Sequence, residues 1–118
     1  MDLSVIIALL NEQESLPELL SLIREVLSRP VESSGGRLLD YEVIFVDDGS
    51  TDLSWSFITA EAGKDPRVHG IRFRRNYGKS AALFCGFEAS KGNVVITMDA
   101  DLQDSPHEIP ALYSMVAG

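Results

Sequence analysis

Val94-Val95-Ile96-Thr97-Met98-Asp99-Ala100-Asp101-Leu102-Gln103-Asp104 is the stretch that decides the fold of this 118-residue chain. Its β-branched, largely apolar start predicts a strand buried on both faces. The strand empties into three carboxylates, Asp99, Asp101 and Asp104. Such groups need solvent, hydrogen bonds or a cation, because burying them unpaired is costly.

The same grammar, an apolar run followed by a polar cluster and then a helix, repeats upstream. Leu3 to Leu10 is apolar apart from Ser4 and predicts a central strand, interrupted by Asn11-Glu12-Gln13-Glu14. Ser15-Leu16-Pro17-Glu18 has the form of a capping box, and Leu16, Leu19, Leu20, Ile23 and Leu27 continue at helical spacing. Pro30 ends that helix near Ser28 or Arg29, and Ser33-Ser34-Gly35-Gly36 predicts a flexible surface loop. Tyr41 to Val46 is the second strand, followed by Asp47-Asp48-Gly49-Ser50-Thr51-Asp52 and a helix over about 53–63, with Phe57 and Ile58 inward. Val68 to Phe73 is a weaker third strand. Arg74-Arg75-Asn76-Tyr77-Gly78 leads from it into an Ala-rich helix over 79–90, with Gly92 read as its C′ residue. A second capping box, Ser105-Pro106-His107-Glu108, opens the last helix.

Strand–helix alternation of this kind predicts an α/β domain with a parallel sheet and helices on both faces. Ligands in such sheets sit beyond the carboxyl ends of the strands. The clusters Asn11-Glu12, Asp47-Asp48, Arg74 to Lys79 and Asp99 to Asp104 all follow strands, so they are expected to converge on one cleft.

Composition narrows the ligand. A net charge of -8 argues against the basic face of a nucleic-acid binder. It leaves room for a phosphate-bearing ligand, because a divalent metal held by carboxylates reverses the local field. One cysteine, Cys85, excludes an internal disulfide and fits a reducing compartment. Met1-Asp2-Leu3 does not open a signal peptide, and no apolar run has the length of a membrane span, so the expectation is a cytoplasmic, soluble piece.

Each cluster supports two readings. Asp99 and Asp101, with Gln103, suit Mg²⁺ or Mn²⁺, yet they also suit an acidic turn capping the last helix. Asp47-Asp48 can receive a base N–H or ribose hydroxyls, yet Asp, Gly, Ser and Thr are what a tight turn needs anyway. Arg72, Arg74, Arg75 and Lys79 face a pyrophosphate or guard an edge strand.

Other motifs fail on inspection. Gly78-Lys79-Ser80 lacks the upstream glycine of a P-loop, where Phe73 stands. No G-x-G-x-x-G follows the first strand, so dinucleotide binding is not expected. The EF-hand glycine and glutamate positions hold Asp104 and Pro110. Cys85, beside Leu83, Phe84 and Phe87, reads as a core residue, and Trp55 as packing. His69 and His107 have no ligand or nucleophile spacing around them and receive no role.

Taken together, Val5-Ile6-Ile7 with Asn11-Glu12, Val46 to Asp52, Arg75-Asn76-Tyr77-Gly78-Lys79 and Met98 to Asp104 resemble the nucleotide-sugar-binding half of family 2 glycosyltransferases. The similarity is strongest to the polyprenyl-phosphate, dolichyl-phosphate mannose synthase-like branch, and covers residues 1–118. It implies a Rossmann-like GT-A three-layer sandwich that ends after the Asp-x-Asp region, binding a UDP- or GDP-sugar donor. By the resemblance, Asp48 hydrogen-bonds the base and Glu12 contacts the nucleoside, with Ala8, Leu10 and Val46 lining that pocket. Lys79 belongs to the donor site, Ala100 lies against the donor, and Asp99, Asp101 and Gln103 hold Mg²⁺ or Mn²⁺ on the diphosphate. The implied reaction is inverting transfer of the sugar to a polyprenyl phosphate, whose anionic oxygen needs no strong general base.

Two departures accompany the resemblance. The family's Pro-x-Tyr-Asn-Glu is here Ala8-Leu9-Leu10-Asn11-Glu12, without the fixed φ of proline or the tyrosine surface against the base. The second is that the family's acceptor half is not within the 118 residues. The catalytic base or acceptor site is therefore expected beyond Gly118, and no catalytic residue is assigned. A longer protein is expected to associate with the cytoplasmic face of a membrane. An open sheet edge makes homo-oligomerisation a further expectation. A transferase to a saccharide acceptor and a nucleotidyltransferase are the enzyme alternatives; the second lacks its Gly-rich loop. A phosphoacceptor receiver domain would place paired acids after strand one, not after strands two and four.

Overall fold

The computed structural model describes residues 1–31 and 34–117. Its elements are β1 (Leu3–Leu9), α1 (Leu16–Leu27), β2 (Tyr41–Asp47), α2 (Ser54–Lys64), β3 (Val68–Arg72), α3 (Lys79–Ala89), β4 (Val94–Asp99) and α4 (Ile109–Ala117), the last entered through a single 3₁₀ turn, Pro106–Glu108. The four strands are parallel in the order β3-β2-β1-β4, with Leu3 opposite Tyr41 on one side and Val94 on the other. β1 and β2 are therefore the central pair. Covered on both faces, they carry the longest uninterrupted apolar runs, as parallel sheets require.

Alternation along each strand divides the interior into two layers. Leu3, Val5, Ile7 and Leu9, with Val43 and Phe45, meet α1, Ile58 of α2 and Ile109 and Tyr113 of α4. Ile6, Ile44 and Val46 face the other way, onto Ala82 of α3. The result is the three-layer α/β architecture expected from the alternating elements.

α3 packs through its smallest residues. Only Ala82 and Gly86 are buried, and a Cβ on Gly86 would come within 2.4 Å of Ile6 Cγ2. That close approach turns the larger residues outward: Phe84 and Phe87 are 63% and 49% exposed, and Cys85 is half-buried. The core position expected for Cys85 is thus corrected by the small-residue contact.

β4 is also not the doubly buried strand its composition suggests. It lies at an edge, with Val94, Ile96 and Met98 buried toward the main layer and Thr97 exposed on the other face. α3 packs over β1 and β2, leaving that face of β4 thinly covered. The same alternation points Asp99 toward the α3 side, where Lys79 begins the helix.

Local signals at the helix ends are partly realised. α1 stops at its C-cap Ser28 as expected, but Ser15 is αR and makes no side-chain cap. Its hydroxyl instead donates to Glu12 Oε2 at 3.2 Å, so the expected capping box does not form. Ser105 does act as a cap, its Oγ accepting the N–H of His107 at 3.3 Å. Gly92 is not a C′ residue, because α3 ends with Ser90 in extended conformation. Glycine is required there for another reason: a Cβ would sit 2.5 Å from the Ser4 nitrogen of β1.

Two positions invoked from sequence, Ser33 of the expected surface loop and Gly118, lie outside the described residues. Within that loop, Ser34 Oγ donates to the carbonyls of Val31 and Arg37, and the Arg37 guanidinium clasps Asp2 at 2.7 and 2.8 Å. Among the described residues no helix is long and apolar enough to cross a membrane.

Candidate active site

Parallel sheets present their carboxyl ends as a row of loops, and a crevice opens where the strand order reverses. Here the reversal falls at β1, flanked by β2 and β4. A cleft of about 470 Å³ lies there. Ala8, Leu9, Leu10 and Glu12 line it from the end of β1, Asp48 from β2, Asn76, Gly78 and Lys79 from the loop into α3, and Asp99, Ala100 and Asp101 from β4. All four polar clusters contribute, so residues separated by up to 93 positions share one space.

Ten candidate positions were named from sequence, and eight of them line this cleft: Ala8, Leu10, Glu12, Asp48, Lys79, Asp99, Ala100 and Asp101. Val46 does not; it is fully buried in the layer beneath, against α3. Gln103 is exposed and outside the lining, and its N–H donates to Asp101 Oδ1 at 3.2 Å. Of the basic cluster only Lys79 reaches the cleft. Arg72 stacks over Trp55 at 5.7 Å and Arg75 over Tyr77 at 4.9 Å.

The Asp48 carboxylate is nearly buried and holds the next loop in place. Its Oδ1 accepts the N–H of Tyr77 at 2.7 Å, and its Oδ2 accepts that of Gly78 at 3.0 Å. Gly49 completes the contact, since at φ +89° a Cβ would lie 2.5 Å from the Arg75 carbonyl carbon. Only glycine allows that backbone approach and that φ together. Asp47 faces the opposite layer; its Oδ1 accepts the N–H of Ser50 at 2.8 Å, while Oδ2 is buried with no partner among the described residues.

The first two loops hold each other reciprocally. The N–H groups of Asn11, Glu12 and Gln13 donate to Ser50 Oγ, Ser54 Oγ and Asp52 Oδ2. In return, Asn11 Oδ1 accepts the N–H groups of Thr51 and Asp52, and Gln13 Oε1 accepts that of Leu53. Asn11 sits at φ 53°, a left-handed conformation that asparagine tolerates well. Glu12 is thereby set at the cleft wall. The sequence reading missed this role of Asn11, Gln13, Ser50, Asp52 and Ser54, although asparagine just before the acidic residue was a usable turn signal.

On the far wall the Lys79 ammonium donates to Asp99 Oδ1 in a short contact. The hydrogen bond to Asp99, and then its charge, hold Lys79 above the usual lysine range. Asp104 Oδ2 accepts the N–H of Asp99 at 3.1 Å, closing the turn. Leu102 within it stands at φ 65°, a strained position for leucine, with its side chain packed on the main core.

The donor set can be tested against a metal. No group of three or more His, Cys, Asp or Glu converges among the described residues, which rules out an all-protein cage of the structural zinc kind there. Two carboxylates, Asp99 and Asp101, do share the cleft. That pair suits Mg²⁺ or Mn²⁺, which take one or two carboxylates and fill the remaining positions with water and phosphate oxygens.

The chain that carries this cleft, with an acidic pair on one wall and Glu12 and Asp48 on the other, has relatives of known family. Residues 4–117 match the pattern described as Glycosyl transferase family 2. The chain belongs to this family. It is 44% identical over 115 residues to the undecaprenyl-phosphate 4-deoxy-4-formamido-L-arabinose transferase of Pseudomonas fluorescens, covering 97% of this chain and 32% of that enzyme. The enzyme of the same name from Aeromonas hydrophila is 44% identical over 110 residues, covering 92% of this chain and 32% of the relative. The chain thus spans about a third of the length of the curated relatives it matches. Among solved structures, a mannosyltransferase from Pyrobaculum calidifontis in complex with GDP-Man and Mn²⁺ superimposes with a TM-score of 0.71 at 24% identity, over 98% of this chain and 31% of that one. TarS of S. aureus in complex with UDP-GlcNAc gives 0.67 at 24% identity, over 86% and 27%. These neighbours share the GT-A fold, in agreement with the Rossmann-like sandwich expected from the motifs.

Proposed function

We propose that this family 2 chain is the donor-binding part of an inverting, metal-dependent glycosyltransferase that moves a sugar from a UDP- or GDP-sugar to a polyprenyl phosphate. The observation that carries the proposal is the convergence of Glu12, Asp48, Lys79, Asp99 and Asp101 on one cleft at the switch point. Glu12 and Asp48 supply acceptors for the nucleoside end. Ala8 and Leu10 give that end an apolar floor, in place of an aromatic ring. Asp99 and Asp101, with Gln103 as a third candidate, would hold Mg²⁺ or Mn²⁺, which when bound neutralises charge on the departing diphosphate. Lys79 brings a positive charge to the same end. The acceptor would be held by residues beyond Gly118 in a longer protein.

The names of the relatives favour undecaprenyl phosphate over a saccharide as acceptor class. A phosphate oxygen is already anionic, so the site has to position it rather than deprotonate it. On this reading the longer protein works at the cytoplasmic face of a membrane.

Calorimetric titration with UDP, GDP, UDP-glucose and GDP-mannose, with and without Mn²⁺, tests the donor site. At least one should bind, more tightly with Mn²⁺, and Asp101→Ala should abolish the metal dependence. Absence of binding by all four in folded protein overturns the reading.

A further inference from the structure

Lys79 and Asp99 form a wall shared by two spaces. On one side is the cleft; on the other is a smaller cavity of about 150 Å³ lined by Lys79, Leu83, Thr97, Met98, Asp99 and Asp104. The ammonium lies on Asp99 Oδ1, one of the carboxylates offered to a divalent cation. Both side chains are solvent-accessible, Lys79 at 62% and Asp99 at 43%. Their backbones, by contrast, are fixed. Gly78, which precedes Lys79, donates its N–H to Asp48 and to Asn76 Oδ1 at 2.9 Å, and Asp99 donates its own to Asp104. The lysine stem can therefore swing about a fixed root, with space on either side of its present position.

We propose that Lys79 is a tethered counter-ion, occupying the cation position on Asp99 and yielding it to a divalent cation only when a nucleoside diphosphate offers the ammonium another partner. The inference rests on the donor-site reading of the cleft. A tethered ammonium competes at a high effective concentration, so a metal arriving alone must displace it without compensation. A diphosphate changes the balance, because the freed ammonium then pairs with phosphate oxygens while the metal takes Asp99. Metal and nucleotide consequently favour each other's binding, and by linkage the coupling is reciprocal. Asp99–Lys79 is an exposed pair of modest strength, so the coupling it supplies is several-fold rather than thousands-fold.

Free Mn²⁺ measured by electron paramagnetic resonance distinguishes the possibilities. Without nucleotide, Lys79→Gln should bind Mn²⁺ about five-fold more tightly than wild type, the factor expected for removing one exposed ion pair. Lys79→Arg, which keeps the charge, should stay close to wild type, and circular dichroism should show both folded. With UDP or GDP added, the gain in Mn²⁺ affinity should be smaller in Lys79→Gln than in wild type. Equal or weaker Mn²⁺ binding by Lys79→Gln alone, or an undiminished gain with nucleotide, overturns the counter-ion while leaving the donor site standing. Absence of any Mn²⁺ binding by wild type with either nucleotide overturns the donor-site reading, and the counter-ion with it.

Discussion

The side-chain oxygen of Asn11 accepts the backbone N–H of Thr51 at 2.8 Å, so the loop after β1 sets the conformation of the loop after β2. The same oxygen accepts the N–H of Asp52 at 3.2 Å. Asn11→Ala removes both hydrogen bonds and places alanine at a positive φ, and should lower unfolding free energy by about 2–3 kcal/mol in urea titrations. Asn11→Gly keeps the backbone permissible and should recover part of that loss. An equal loss in both variants would show that the backbone conformation is not a component.

Asp48 and the loop it holds should fail together. Asp48→Ala leaves the N–H groups of Tyr77 and Gly78 without their acceptor. Hydrogen exchange at those two amides should accelerate at least tenfold, a change of about 1.4 kcal/mol or more in local opening. Nucleotide affinity should fall in the same variant. Unchanged exchange at both amides would refute the anchoring role.

Gly49→Ala tests the other half of that contact. Its Cβ would collide with the Arg75–Asn76 backbone, within 2.5 and 2.7 Å, at a φ unsuited to alanine. A loss of about 2–4 kcal/mol in stability is expected from combined strain and clash. Denaturant unfolding is the measurement, and a loss below about 0.5 kcal/mol would contradict it.

At the opposite end of the sheet, Glu42 is buried and accepts from Ser4 Oγ at 2.6 Å and from the Lys91 N–H at 2.8 Å. His69, given no role from sequence, lies 3.4 Å from its other oxygen. Glu42→Ala strands two donors and should cost about 2–3 kcal/mol. Because the site is remote from the cleft, nucleotide affinity should not change in the folded fraction. A stability loss with altered affinity would point to coupling between the two ends of the sheet.

Acid should destabilise the fold through its ion pairs. The Arg37 guanidinium holds Asp2 well below the usual carboxylate range, and Arg24, with Lys64, lowers Glu61. Burial works to raise Asp65, but the Arg67 N–H and Arg24 outweigh it, so it too is lowered. Groups whose folded pKa lies below the unfolded value stabilise above the unfolded value, and that stability is lost as pH falls through the folded one. Thermal midpoints should therefore be flat above about pH 5 and fall below about pH 4. Arg24→Gln should flatten the fall; an unaltered slope would show that the α1–α2 pairs contribute nothing to it.

What the sequence revealed follows the reach of each interaction. β1 and β2 were legible because burial on both faces leaves a continuous apolar run. The convergence of Glu12, Asp48, Lys79 and Asp101 was legible because parallel topology places every strand's end on one side. β4 was read as doubly covered because Val, Ile and Thr suit either environment, and only the placement of α3 decides it. The capping box at Ser15 failed because its hydroxyl bonds to Glu12 instead. The bonds between residues 11–13 and 50–54 were invisible because each partner lies about 40 positions away. Asn11 and Ser50 show no local pattern that names the other.

That division within the motifs separates two kinds of change. Ala8 and Leu10 line the cleft, yet neither side chain takes part in the bonds that fix the two loops. Asn11 and Ser50 do the reverse, securing the loops without lining the cleft. On the proposed reading, base preference is therefore open to redesign by recontouring positions 8 and 10 while the frame that presents Glu12 and Asp48 stays untouched. If the proposed donor site holds, one scaffold accommodates different nucleoside bases by exchanging a pair of side chains.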